Sequence, residues 1–294
     1  MLKFKNNIGL SAALLIFCLL YYSPYIVYTL PSLANEHVYI ENISEPFLSD
    51  NLYEGEEMRI PNRKNTHNEH REPLINYKSI PVLMYHSINP KSVNNLIISP
   101  EEFNMQMKWL KDNNYNPISL EELYNALFRE ETVKANPIVL TFDDGYEDNY
   151  IYAYPILKGY GYKAVVFLIT DAVNKDTVLK DYQITEMYNN NIDFQSHTSN
   201  HIELNTENYS NQLKGIKKSQ DYIDKLLNKK TEYLCYPVGK YNKDTLKICS
   251  ELGIKMAFTT NPGFSSAANG RYTMKRIRIS PSKDLNNFIN SIKK

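Results

Sequence analysis

From Ser79 onward the chain alternates short, uninterrupted apolar runs with longer segments whose apolar residues recur every three or four positions. The first pattern predicts strands buried on both faces, and the second predicts helices with one apolar face. The strands are expected at Ile80 to Tyr85, Ile138 to Phe142, Lys163 to Ile169, Ile192 to Gln195, Tyr233 to Tyr236, Lys255 to Thr259 and Met274 to Ile279. Helices are expected around Tyr150 to Lys158, over Thr185 to Asn190, from about Thr206 to Asn228, and over Lys243 to Leu252 and Leu285 to Ile292. Two more are marked by their starts. Ser99-Pro100-Glu101-Glu102 and Ser119 to Glu122 both read as capping boxes, the first with proline at the opening helical position.

Strand–helix alternation over about 215 residues implies a parallel sheet covered by helices, either open or closed into a barrel. The polar positions favour the barrel. His86, the pair Asp143/Asp144, His197 and the turn Tyr236-Pro237-Val238-Gly239 each stand at the C-terminal end of a different predicted strand. Barrel enzymes assemble their sites at that end.

Upstream the pattern changes. Lys3 and Lys5 precede an uncharged stretch from Asn6 to Asn35, strongly apolar from Ile8 to Tyr22. Residues 1–34 read as a signal peptide or an uncleaved signal-anchor helix, and Tyr21, Tyr22, Tyr25 and Tyr28 favour the anchor, sitting where an interfacial belt would. Residues 35–77 are polar, carry Pro46, Pro61 and Pro73, and read as a tether in which His67 and His70 are solvated. Residues 78–294 are then the folded domain, extracytoplasmic and either membrane-anchored or secreted. Composition changes this little: Lys+Arg and Asp+Glu are both 33, so no charge excess points to nucleic acid. Of three cysteines, Cys235 and Cys249 lie in apolar patterns and read as buried thiols.

The chemistry is concentrated in two motifs. Asp143 and Asp144 follow a buried strand and precede Gly145. Adjacent strand residues point to opposite faces, so both acids can serve one site only where the backbone turns. His197 and His201 stand four apart, a spacing that on a helical turn brings two imidazoles to one face. Two histidines and one carboxylate make three ligands and leave coordination open for water and substrate, as in hydrolytic zinc sites. The other carboxylate is then free to act as general base.

Thr141-Phe142-Asp143-Asp144-Gly145, His197-x-x-x-His201 and Tyr236-Pro237-x-Gly239 resemble the motifs of the NodB-homology polysaccharide deacetylases, carbohydrate esterase family 4. The resemblance implies a distorted (β/α)7 barrel and metal-dependent removal of N-acetyl groups from N-acetylglucosamine units of peptidoglycan, poly-N-acetylglucosamine or a chitin-like polymer. It implies Asp143 as base, Asp144, His197 and His201 as ligands of Zn2+ (or another divalent ion such as Co2+), and the backbone N–H near Val238 as oxyanion donor. Tyr236, Arg276 and Arg278 fall on the oxyanion and substrate side. Two departures stand out. Cys235 occupies the position where the family's third motif commonly has arginine, and no histidine follows His201. Arg276 and Arg278 alternate onto one strand face, so one can reach Asp143. The Met84-Tyr85-His86-Ser87 opening resembles a subgroup in which an early histidine replaces the late one. His86 is accordingly expected to be the general acid: of six histidines, His37, His67 and His70 lie in the tether and two are assigned to metal. An O-acetyl esterase and a non-catalytic carbohydrate-binding homologue are the alternative readings.

Overall fold

A computed structural model of the chain describes residues 74–91 and 93–293. Seven parallel strands form its centre: β1 (Val82–Tyr85), β2 (Pro137–Phe142), β3 (Ala164–Leu168), β4 (Ile192–Ser196), β5 (Tyr233–Cys235), β6 (Met256–Pro262) and β7 (Met274–Arg278). Each pairs with the next in sequence, and β7 pairs with β1, so the sheet closes. The result is the expected (β/α)7 barrel. Its distortion has a location: the β6–β7 register shifts between Phe258 and Pro262.

Among the described residues seven α-helices accompany the strands: α1 (Pro100–Asp112), α2 (Leu120–Phe128), α3 (Tyr154–Tyr160), α4 (Asp181–Tyr188), α5 (Tyr209–Leu227), α6 (Lys243–Glu251) and α7 (Leu285–Ile292). They are unevenly shared. Two lie between β1 and β2, and none between β6 and β7. The extra helix, α2, packs Leu120, Leu123 and Leu127 against inward-facing Val82, Val139, Tyr233 and Met256. Its Glu121 accepts from the Tyr233 hydroxyl at 2.6 Å and pairs with Lys255 at 2.7 Å. These partners stand at or before the first residues of β5 and β6, so α2 covers the N-terminal end of the barrel and leaves the C-terminal end open for the site.

All six residues of β2 are buried, which is why its sequence shows no alternation. Alternate residues still go different ways. Ile138, Leu140 and Phe142 join the shell of helices, whereas Val139 joins Val165, Phe167 and Phe258.

Local signals were realised unequally. Ser119 and Glu122 form the complete capping box. At α1 only half forms: Ser99 caps the Glu102 N–H, but the Glu102 carboxylate accepts instead from Ser282 N and Gln106 Nε2. The predicted helix around Tyr150 opens as a π-helical turn over Asn149–Ala153. Ordered structure also begins upstream of residue 78, since Leu74–Ile75 pairs antiparallel with Val133–Lys134. Among the described residues no helix is long and apolar enough to cross a membrane. The segment read as a signal or anchor, the tether up to residue 73, and His37, His67 and His70 lie outside those residues.

Candidate active site

Asp143 continues the inward face of β2 two residues past Thr141, and it is 2% exposed. Arg276 of β7 meets it head on. The guanidinium donates from Nη1 to Oδ1 at 2.8 Å and from Nη2 to Oδ2 at 2.7 Å. Its other donors are used as well: Nε bonds Thr259 O at 3.0 Å, Nη1 bonds Thr141 Oγ1 at 3.1 Å, and Nη2 reaches Cys235 Sγ at 3.0 Å. Burial by itself would raise the Asp143 carboxyl, but the Arg276 charge and its two hydrogen bonds override it and hold the group ionised, well below the usual carboxylate range.

Asp144 points elsewhere because the chain turns at it. Its φ is 73° and that of Gly145 is 82°, so both residues adopt left-handed conformations, which aspartate tolerates and glycine favours. The turn brings Asp144 to the two histidines. They do not converge on a helical turn, contrary to what their spacing suggested. The segment is a loop in which Thr198 and His201 have φ of 63° and 57°. Side chains hold it in place: Ser196 Oγ accepts from Thr198 N, and Thr198 Oγ1 accepts from His201 N. Gly215 O on α5 accepts from Ser199 N at 3.0 Å.

Asp144 Oδ1 lies 3.4 Å from His197 Nε2 and 3.5 Å from His201 Nε2. It is buried and has no hydrogen-bond partner. Those separations are long for hydrogen bonds. They do suit three donors around a tetrahedral ion, because ligands about 2.0–2.1 Å from the centre lie roughly 3.3–3.5 Å apart. The donor types fit a divalent ion too. His197 Nδ1 lies 2.7 Å from the Cys235 carbonyl, which can only accept, so Nδ1 carries hydrogen and the Nε2 lone pair is directed at the cluster. Asp144, His197 and His201 are therefore a fitting ligand set. Burial by itself would raise the Asp144 carboxyl, but the neighbouring His197 outweighs it and lowers it in net, toward the ionised form.

His86 leaves the end of β1 with Nε2 3.9 Å from Asp143 Oδ2, outside the three-donor cluster. Burial lowers its pKa despite the attraction of Asp143. Val238 stands in a tight turn after β5, with φ of 49° and 47% of its surface exposed. Two residues assigned to this side from sequence do not bond Asp143. Tyr236 is fully buried, stacks on Tyr241 and donates its hydroxyl to Tyr272 O. Arg278, the last residue of β7, is exposed and makes no ion pair with Asp143, though its charge acts on His86 and helps to lower its pKa. Thr141 and Cys235 were not anticipated as partners of Arg276. Strand parity could have found Thr141, two residues before Asp143.

Known proteins resemble this chain in sequence and in fold. A family model described as polysaccharide deacetylase matches residues 130–257. YxkH of Bacillus subtilis (strain 168), a polysaccharide deacetylase by name, is 39% identical over 202 residues, covering 69% of this chain and 72% of its own. The chain belongs to the polysaccharide deacetylase family. Among solved deacetylases, Streptococcus pyogenes PplD in complex with acetate superposes with a TM-score of 0.71 at 39% identity, over 74% of this chain and 99% of that one. The poly-β-1,6-N-acetyl-D-glucosamine N-deacetylase of Staphylococcus aureus (strain MRSA252) is 28% identical over 227 residues, 72% of this chain and 77% of its own. Within this deacetylase the missing third-motif arginine has a structural counterpart. The guanidinium beside Asp143 arrives from β7, and its Nη2 rests on the smaller Cys235 side chain.

Proposed function

We propose that this deacetylase removes N-acetyl groups from N-acetylglucosamine units of an extracellular or cell-wall polysaccharide, using Zn2+ held by Asp144, His197 and His201. The observation that carries the reading is the pairing of a three-donor cluster, whose Asp144 Oδ1 is buried without a hydrogen-bond partner, with a second carboxylate, Asp143, that is fixed and ionised by Arg276. The ion would supply a Lewis acid that makes water reactive near neutral pH. Asp143 accepts the proton that this water releases on attacking the acetyl carbon. The Val238 N–H donates to the oxygen on which charge develops. The C–N bond breaks only as the nitrogen gains a proton, because an amine anion is too basic to leave. His86, beside Asp143 and outside the ligand cluster, donates that proton.

The N-acetyl specificity is supported by the S. aureus relative, whose name specifies N-deacetylation of a poly-glucosamine. Export and tethering are supported by the lysine-flanked apolar segment in residues 1–34. The test is acetate and free-amine release by the purified full chain on poly-N-acetylglucosamine oligomers, peptidoglycan fragments and chitooligosaccharides. Acetate matched by new free amines on one of these is the expected result. Acetate released only from O-acetylated polymers, with no new amine, would reassign the protein as an esterase.

A further inference from the structure

The acid role given to His86 needs its imidazole held at one place, yet no hydrogen bond to the ring itself is present among the described residues. The chain around it is held instead. Asp148 Oδ2 accepts from Ser87 Oγ at 2.5 Å and from Asn89 Nδ2 at 3.4 Å, and Asp148 Oδ1 accepts from Ile88 N at 3.2 Å. Asn149 Nδ2 donates both to the His86 carbonyl at 3.0 Å and to Asp148 Oδ1 at 3.1 Å. Asn149 is 1% exposed, and its Oδ1 is buried without a partner. A buried unpaired acceptor is a cost, and flipping the amide would lose both donations. The residue is therefore committed to gripping the His86 backbone.

Both residues come just after Asp143-Asp144-Gly145, at the opening of the π-helical turn Asn149–Ala153. One segment thus carries the proposed base, a proposed ligand and the grip on the proposed acid. Resting on the acid role argued above, we infer that Asp148 and Asn149 are positioning residues for His86. They set the distance between its imidazole and Asp143 through the backbone of residues 86–89. Neither touches the reacting atoms. Their loss should act on proton delivery to the leaving nitrogen and leave the ligand cluster alone.

The experiment compares Asp148→Asn, Asn149→Leu and the milder Ser87→Ala in the full chain, each alone and combined with His86→Ala. Readouts are kcat and KM on an N-acetyl oligosaccharide and on an activated acetyl ester, whose leaving group needs no proton, with bound metal measured alongside. Asp148→Asn and Asn149→Leu should lower kcat on the amide by roughly tenfold or more, and on the ester by no more than about threefold, with KM within about twofold. In the His86→Ala background they should cost little further, because residues acting as a unit are not additive. If His86→Ala is selective for the amide but these losses simply add to it, the positioning inference fails and the acid role stands. If His86→Ala costs both substrates equally, the acid role falls and takes this inference with it. Loss of metal or of folded protein in Ser87→Ala and Asp148→Asn alike would make the grip merely structural and overturn the inference.

Discussion

Arg276 and Asp143 are both almost wholly withdrawn from solvent, and each makes the other tolerable there. A buried ion pair adds little net stability, but removing one partner strands the other. Arg276→Met should therefore destabilise the domain by about 3–5 kcal/mol, measured by urea unfolding. Arg276→Lys should recover only part, since an ammonium cannot replace five donors that are used by Asp143, Thr141, Cys235 and Thr259. If Arg276→Met cost less than about 1 kcal/mol, the pair would not be the buried, mutually dependent unit described. His86 stands 3.9 Å from Asp143 Oδ2, a looser contact with no hydrogen bond between them. Its replacement by alanine should leave stability and metal content near wild type and lower amide turnover by roughly 10²–10⁴. Retained amide turnover in that variant would exclude it as the acid.

At the level of strand ends and loops, the site depends on backbone that ordinary residues avoid. Asp144, Thr198, His201 and Val238 all have positive φ. Gly239 beside them has φ of 74°, and a Cβ there would come within 2.2 Å of Thr260 Oγ1 and 2.6 Å of Thr260 N. Gly239→Ala should thus cost about 1–3 kcal/mol by thermal unfolding, and lower acetate release with metal still bound, because it displaces the Val238 N–H. Unchanged turnover would separate that turn from catalysis. These loops also mark what the sequence could and could not reveal. The strands were legible because burial on both faces leaves an uninterrupted apolar run, and all seven appear within a few residues of their predicted places. The converging histidines were legible as a set, but the helical turn invoked for them was wrong. Local bonds to the Ser196 and Thr198 hydroxyls and a tertiary bond to Gly215 O shape that loop, and no hydrophobic period announces them. Glu102 likewise had the capping-box spacing but was drawn to Ser282, 180 positions away. Strand alternation put Arg276 and Arg278 on one face, yet only Arg276, buried within the strand, meets Asp143, while Arg278 at its end is exposed.

For the whole molecule, six consecutive strand pairings and the β7–β1 closure gather residues from β1, β2, β4 and β7 at one end, while α2 covers the other. The tether boundary placed at residue 77 by composition now has a structural counterweight. Leu74–Ile75 pairs with Val133–Lys134, and Asn76 and Tyr77 bond Glu130 O and Asn136 N. A chain starting at residue 74 is predicted to fold and to retain the full chain's turnover on soluble oligomers. A chain starting at residue 79 should unfold at a lower temperature. Loss of activity in the folded longer fragment would show that upstream residues help to form the site. The account rests most heavily on the division of labour between adjacent carboxylates, Asp144 to hold the ion and Asp143 to take the proton. The most direct measurement is metal stoichiometry and acetate release for Asp143→Asn beside His201→Ala, in protein stripped by chelator and reloaded with Zn2+. Asp143→Asn should bind one equivalent and release acetate only at background, while His201→Ala should lose both metal and activity. Wild-type turnover by Asp143→Asn, or its failure to bind metal, would contradict the account.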